Sequence, residues 1–159
     1  WTDLGTLGAA VRAIAGDLVA TADGVHRVAP GLPHVGLDDV RDVAVDGGPL
    51  AATPDGLYTL GNGWRRAVEG DVRVVATDGA RAHAATPETA FERRDGQWAP
   101  IELPAADPVV DLGYGRAVVG VTDGGTLLID AGAGFRAHEL GLRDVVGLAV
   151  GSSGQRKPV

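Results

Sequence analysis

An all-β fold assembled from repeated four-stranded units is what this sequence predicts, and three features carry the prediction. Short Val-containing apolar segments recur: "VRAIAG" from Val11, "VRDVAV" from Val40, "VRVVAT" from Val72, "VVDLGY" from Val109 and "VVGLAV" from Val145, at spacings of 29, 32, 37 and 36 residues. A second segment follows each of the first four, with a threonine at 21, 53, 86 and 122 and, in three of them, an Asp-Gly or Pro-Asp-Gly turn. Six of the seven aromatic residues also fall at equivalent places: Trp1, Trp64, Trp98 and Phe135 open a final strand, and Tyr58 and Phe91 lie in a third one. No long 3.6-residue period competes with this reading. Units that cannot bury both faces alone stack on one another, and the order strand A, strand B, turn, strand C, turn, strand D is that of a β-propeller blade. A β-sandwich also has many short strands but does not account for that recurring order.

Taken in order, "WTDLG" at 1–5 reads as strand D of a blade whose other strands are not in this chain. Four blades follow at 11–37, 40–70, 72–105 and 109–142. In each, strand A reads as an apolar run buried on both faces. The first blade is the exception: "APGLPHVGLDD" carries two prolines and no tryptophan, so its strand D should be short and irregular, as an outer edge tolerates. Residues 145–150 read as strand A of a further blade lacking B, C and D. The expectation is therefore part of a larger propeller, a four-bladed ring being the rival, with self-association through the incomplete blades left open. The tail 151–159 holds both serines and the only lysine and reads as a disordered extension or foreign remnant. A chain of 159 residues otherwise suggests one domain.

Charge narrows the setting. The 21 acidic residues, 16 of them Asp, outnumber 14 basic ones, 13 of them Arg, for a net charge of −7. An Asp-rich, Lys-poor surface suits molar salt, where the Debye length falls to roughly 3 Å and like charges are screened. A halophilic archaeon is therefore the expected source, with a GC-rich genome, which favours the same residues, as the alternative. A net acid without a basic stripe is expected to bind neither nucleic acid nor an anionic membrane. There is no cysteine, and no apolar run is long enough to span a bilayer as a helix. The expected compartment is the cytoplasm, with a removed signal peptide left open.

The segments "GLYTLGNGW", "VRAIAGDLVATADGVHRV" and "LGLRDVVGLAV" together resemble a haloarchaeal β-propeller family of uncharacterised function, over residues 1–150. The resemblance implies fold and lineage, and a longer N-terminal region, but no catalytic residue.

Little else points to chemistry. Hydrolysis by an activated hydroxyl needs a base beside it, and the only serines, Ser152 and Ser153, lie in the tail. The recurring Thr21, Thr53, Thr86 and Thr122 read as turn-capping or packing residues. The turns faintly resemble the Asp-box of sialidase-like propellers, a structural motif. His26, His34, His83 and His138 lack metal-ligand spacing, and His26 takes the place of Tyr58 and Phe91. No metal site and no cofactor is expected. One constellation stands out. Strand A lines the central channel of such a fold, and its charged members are Arg12, Arg41, Asp42, Arg73 and Asp111, with Asp38, Asp39, Asp107 and Asp144 at its entrances. Such charges are costly unless paired. They read either as ion pairs between blades or as a polar mouth that holds an anion, a metal or a partner's side chain. The functional expectation is a non-catalytic binding or scaffolding module with a protein partner. The alternative is a small-molecule or carbohydrate-binding propeller, with hydrolysis left open, and its site at the channel mouth.

Overall fold

The computed structural model describes residues 2–151, all of them in strands, turns and extended segments without a helix. Sixteen strands form four separate four-stranded antiparallel sheets, each in simple sequence order. The first holds β1 (Val11–Ala15), β2 (Leu18–Thr21), β3 (Gly24–Arg27) and β4 (His34–Gly36). The second holds β5 (Asp42–Ala44), β6 (Leu50–Thr53), β7 (Gly56–Gly61) and β8 (Gly63–Glu69). The third holds β9 (Val74–Thr77), β10 (Ala82–Ala85), β11 (Ala90–Arg94) and β12 (Gln97–Ile101). The fourth holds β13 (Val109–Tyr114), β14 (Val118–Thr122), β15 (Thr126–Asp130) and β16 (Arg136–Glu139). Contacts divide the chain into two compact units after Glu102. Length alone suggests one domain, but stacked repeats touch only their neighbours, so cohesion is local.

Within the first unit the sheets bury alternate faces of their strands. Leu18, Ala20 and Val25 of the first sheet form one core with Val40, Val43 and Ala51 of the second. The opposite face of the second sheet sends Leu50, Ala52 and Leu57 against Val72, Val75, Ala82 and Ala84, with Phe91 and Trp98 packed alongside. Strand B, not strand A, is the most buried: β2, β6 and β10 are buried at every position. This corrects the expectation for strand A, which holds for β9 but not for β1. Strand B lies between A and C, whereas A is the edge of its sheet. Strand β1 packs on β5 and leaves Val11 and Ile14 exposed.

The recurring threonines build the B–C turns. Thr53 Oγ1 donates to the Gly56 carbonyl at 2.9 Å and accepts from the amides of Asp55 and Gly56 at 3.2 and 3.1 Å. Thr21 and Thr86 repeat the arrangement, and Thr122 Oγ1 accepts from the Thr126 amide. The carbonyls of the first two reach the next sheet, where Val40 N–H and Val72 N–H donate to Thr21 O and Thr53 O at 3.0 Å. At the outer edge, Trp64 Nε1–H donates to Val35 O at 2.8 Å. Gly36, at φ +116°, is required there: a Cβ would stand 2.8 Å from Trp64 Cδ1. Strand β4 is three residues long, with a register shift, as its prolines predict.

Neither 2–5 nor 145–150 is in a strand among the described residues. Residues 2–5 enter no sheet, although Leu4 O accepts from Gly31 N–H. Trp1 and residues 152–159 lie outside the described residues. Residues 145–150 form no strand ladder, yet they lie along β13: Val145 N–H donates to Asp123 O at 3.3 Å, and a Cβ on Gly113 would meet Val150 at 2.6 Å.

Candidate functional site

In the first unit, the charged residues around the A strands form a belt with a repeated geometry. In the tripeptides Asp39-Val40-Arg41 and Asp71-Val72-Arg73, valine is buried and the flanking charges face outward. Each arginine of the belt's first two blades reaches forward to the aspartate that opens the next one. Arg12 pairs with Asp39, also donating to Val40 O, and Arg41 pairs with Asp71. Asp71 accepts from a second arginine as well: Arg73 Nε and Nη2 reach its Oδ2 at 3.3 and 3.2 Å. Two guanidinium groups thus share one carboxylate. Asp39 holds φ +50° and Asp144 φ +55°, a left-handed conformation that aspartate tolerates better than most residues.

Asp42 and Asp111 do other work. Asp42 Oδ1 accepts from Val43 N–H and its Oδ2 from Val75 N–H, both at 3.0 Å, so one carboxylate spans two sheets. Asp111 repeats this: Oδ1 accepts from Leu112 N–H and Oδ2 from Leu148 N–H, both at 2.9 Å. These two residues act as clamps between one A strand and the next segment in line. The arginines and the clamps were both visible in the sequence as charged A-strand residues. Asp71 was not singled out, although the shared Asp-Val-Arg tripeptide marks it.

Two further clusters went unread. On β10 and β11, Arg81 Nε reaches Glu92 Oε1 at 3.1 Å, Arg94 Nε reaches its Oε2 at 2.9 Å, and His83 Nε2 lies 3.5 Å from Oε1. Burial pushes the Glu92 carboxyl up. Hydrogen bonds from Arg81 and Arg94, with the charges of His83 and Arg81, outweigh it and hold the group below its ordinary value. Register explains the cluster, since His83 is the cross-strand partner of Glu92. The second is a groove of about 350 Å³ in the first unit, lined by Thr59, Arg93 and Trp98 with Gly47 and Gly79. The Arg93 guanidinium stands 5.8 Å from the Trp98 ring centroid, a cation–π contact.

Tyr58 is half-buried; its hydroxyl donates to Asp55, which also holds Arg66. The Tyr58 bond lowers the Asp55 pKa and raises that of Tyr58. His26 does sit opposite Val19 as Tyr58 sits opposite Ala51, and its Nδ1 is 3.0 Å from Leu32 O. Among the described residues no three His, Asp or Glu side chains converge as metal ligands would, and no helix is long and apolar enough to cross a membrane.

Solved structures share the fold at low identity. The computationally designed Ika4 protein matches with a TM-score of 0.58 at 17% identity, over 80% of this chain and 94% of that one. YCF48 bound to D1 peptide matches with a TM-score of 0.55 at 12% identity, over 84% and 54%. BBS1N in complex with ARL6DN matches with a TM-score of 0.59 at 14% identity, over 87% and 54%. The chain spans 20% of PorZ of Porphyromonas gingivalis and about half of YCF48 and BBS1N. Curated proteins yield no match. The family model of the HVO_0234-like β-propellers matches residues 1–151, and with its four antiparallel four-stranded sheets the chain belongs to that family.

Proposed function

We propose that this chain is a non-catalytic propeller module of a halophilic archaeon, working in the cytoplasm, that binds an acidic segment of a protein partner through the A-strand belt. The observation that carries this reading is the sharing of Asp71 by Arg41 and Arg73. A guanidinium has five donors; Arg73 directs two to Asp71, and its side chain is 53% exposed. Its remaining donors suit a second carboxylate, which arginine takes in a fork geometry. The recurring threonines, the clamp aspartates and the Arg12–Asp39 and Arg41–Asp71 pairs are engaged in building the repeat, which leaves Arg73 as the belt's binding group. The peptide on YCF48 and the protein on BBS1N are in keeping with a protein-binding role for this fold. The 16 aspartates against a single lysine support the saline setting.

The test is affinity capture from the native host with the parent chain and Arg73→Glu. One partner recovered reproducibly with the parent and lost with the variant, at unchanged melting temperature, is the expected result. Equal recovery with Arg73→Glu refutes the belt as the binding surface. The small-ligand alternative has the Trp98–Arg93 groove in its favour. Trp98 fluorescence during titration with small saccharides separates the two readings.

A further inference from the structure

We propose that the groove between the second and third sheets binds a small ring-bearing monocarboxylate, its carboxylate on Arg93 and its ring beside Trp98. This deepens the small-ligand reading of the groove and does not rest on the belt, since Arg73 is not among the lining residues. Both walls are fixed within the first unit. The A–B turns of the two sheets meet at Gly47 and Gly79, which hold φ +73° and +95°. A Cβ on Gly47 would stand 2.5 Å from Gly79 O and 2.7 Å from its Cα, so the turns touch through bare backbone and leave a wall free of side chains. Opposite in kind is Trp98, which packs against the core that the two sheets share and has Arg93 as its cross-strand partner.

Charge selects the ligand. Three arginines among the described residues are half-buried: Arg41, Arg81 and Arg93. Arg41 is paired with Asp71 and Arg81 with Glu92, whereas no carboxylate among the described residues pairs with Arg93, whose guanidinium stands 5.8 Å from the Trp98 ring centroid. A partly desolvated cation without a counter-charge favours an anion. The cation–π contact engages the charge and not the N–H donors, which stay available to the two oxygens of a carboxylate. Arg93 is also the one charged residue among those lining the groove, so it balances one negative charge. A phosphate monoester, at about −1.5 to −2 near pH 7, would exceed that balance, and the exposed Asp46, Asp78 and Asp95, which precede three of the lining glycines, would oppose the surplus. Size calls for more than a carboxylate: about 350 Å³ lies at the low end of small-ligand sites. The indole, Ala67 and Ala80 offer apolar contact to a ring, and the Thr59 hydroxyl offers it one hydrogen bond.

Isothermal titration of the full chain with glucuronate, benzoate, acetate, glucose and glucose 6-phosphate reads the result. Glucuronate or benzoate should bind, the tighter of the two marking the ring as a sugar's or an aromatic one, and the other three ligands should be at least about tenfold weaker. Arg93→Gln should weaken the bound acid about 10–100-fold, the span of a hydrogen bond to a charged group. Arg93→Lys keeps the charge without the fork and should fall between. Arg27→Gln, which removes an exposed arginine of the first sheet, should bind like the parent, and circular dichroism melts check that every variant is folded. Acetate or glucose 6-phosphate binding as tightly as the ring acids overturns the proposal, and so does Arg93→Gln or Arg93→Lys binding like the parent. Glucose binding as tightly as glucuronate keeps the small-ligand reading and overturns the carboxylate. No binding by any of these ligands overturns both.

Discussion

Replacing Asp42 by alanine tests whether the aspartate clamps hold adjacent blades together. The carboxylate accepts one amide within its own strand and one, Val75 N–H, 33 residues away in the next sheet. Val75 is 4% exposed, so its amide cannot turn to water when the acceptor is lost. A hydrogen bond to a charged group contributes about 1.5–3 kcal/mol, and the buried donor left behind adds its own desolvation cost. Together these place Asp42→Ala at about 3 kcal/mol of lost stability. Asn keeps one acceptor oxygen, so Asp42→Asn should lose about half of that. Urea unfolding followed by tryptophan fluorescence gives the first measure, with roughly 6–12 °C in melting temperature as its counterpart for a chain of this size. Hydrogen exchange gives the second, because the Val75 amide should lose protection before the core of the second sheet does. A loss below about 0.5 kcal/mol, the range of an ordinary surface change, or an unchanged Val75 exchange rate would refute the clamp.

Two further outcomes follow from the same geometry. Thr53→Val keeps the volume but strips three hydrogen bonds from a buried turn, so it should cost about 2–3 kcal/mol in urea unfolding, against about 1 kcal/mol for Thr86→Val in the more open third turn. The Glu92 carboxyl is held below its unfolded pKa of about 4.3, so its contribution is full above that value and is lost as pH falls through the lower folded value. Urea midpoints from pH 6 to about pH 3 should therefore fall more steeply for the parent than for Glu92→Gln, and parallel curves would contradict the assignment.

Much of the architecture was legible because it is periodic. The Val, Thr and Trp anchors recur at nearly constant spacing, and each recurrence has a local physical cause that a sequence displays. Threonine before a turn, Asp-Gly within it and Trp after a second turn are all decided within a few residues. The short, shifted β4 was legible for the same reason, since proline acts on its own backbone. The charged belt was legible only as a set of residue types. Arg12, Arg41 and Arg73 look alike in the sequence, yet Arg73 turns back to Asp71 while the other two reach forward. Asp42 and Asp111 look like ligands and serve as clamps to backbone amides.

By itself, then, the sequence determined the all-β class, the order of strands within a blade, the turn chemistry and the acidic, arginine-for-lysine composition, because each of these arises from composition or from contacts close along the chain. Only the tertiary structure decided which strand is buried, which aspartate serves which neighbour, and that Val11 and Ile14 lie open where Val40 and Val43 are covered. Those outcomes depend on what lies against a residue from about 30 positions away, and identical local patterns meet different neighbours there.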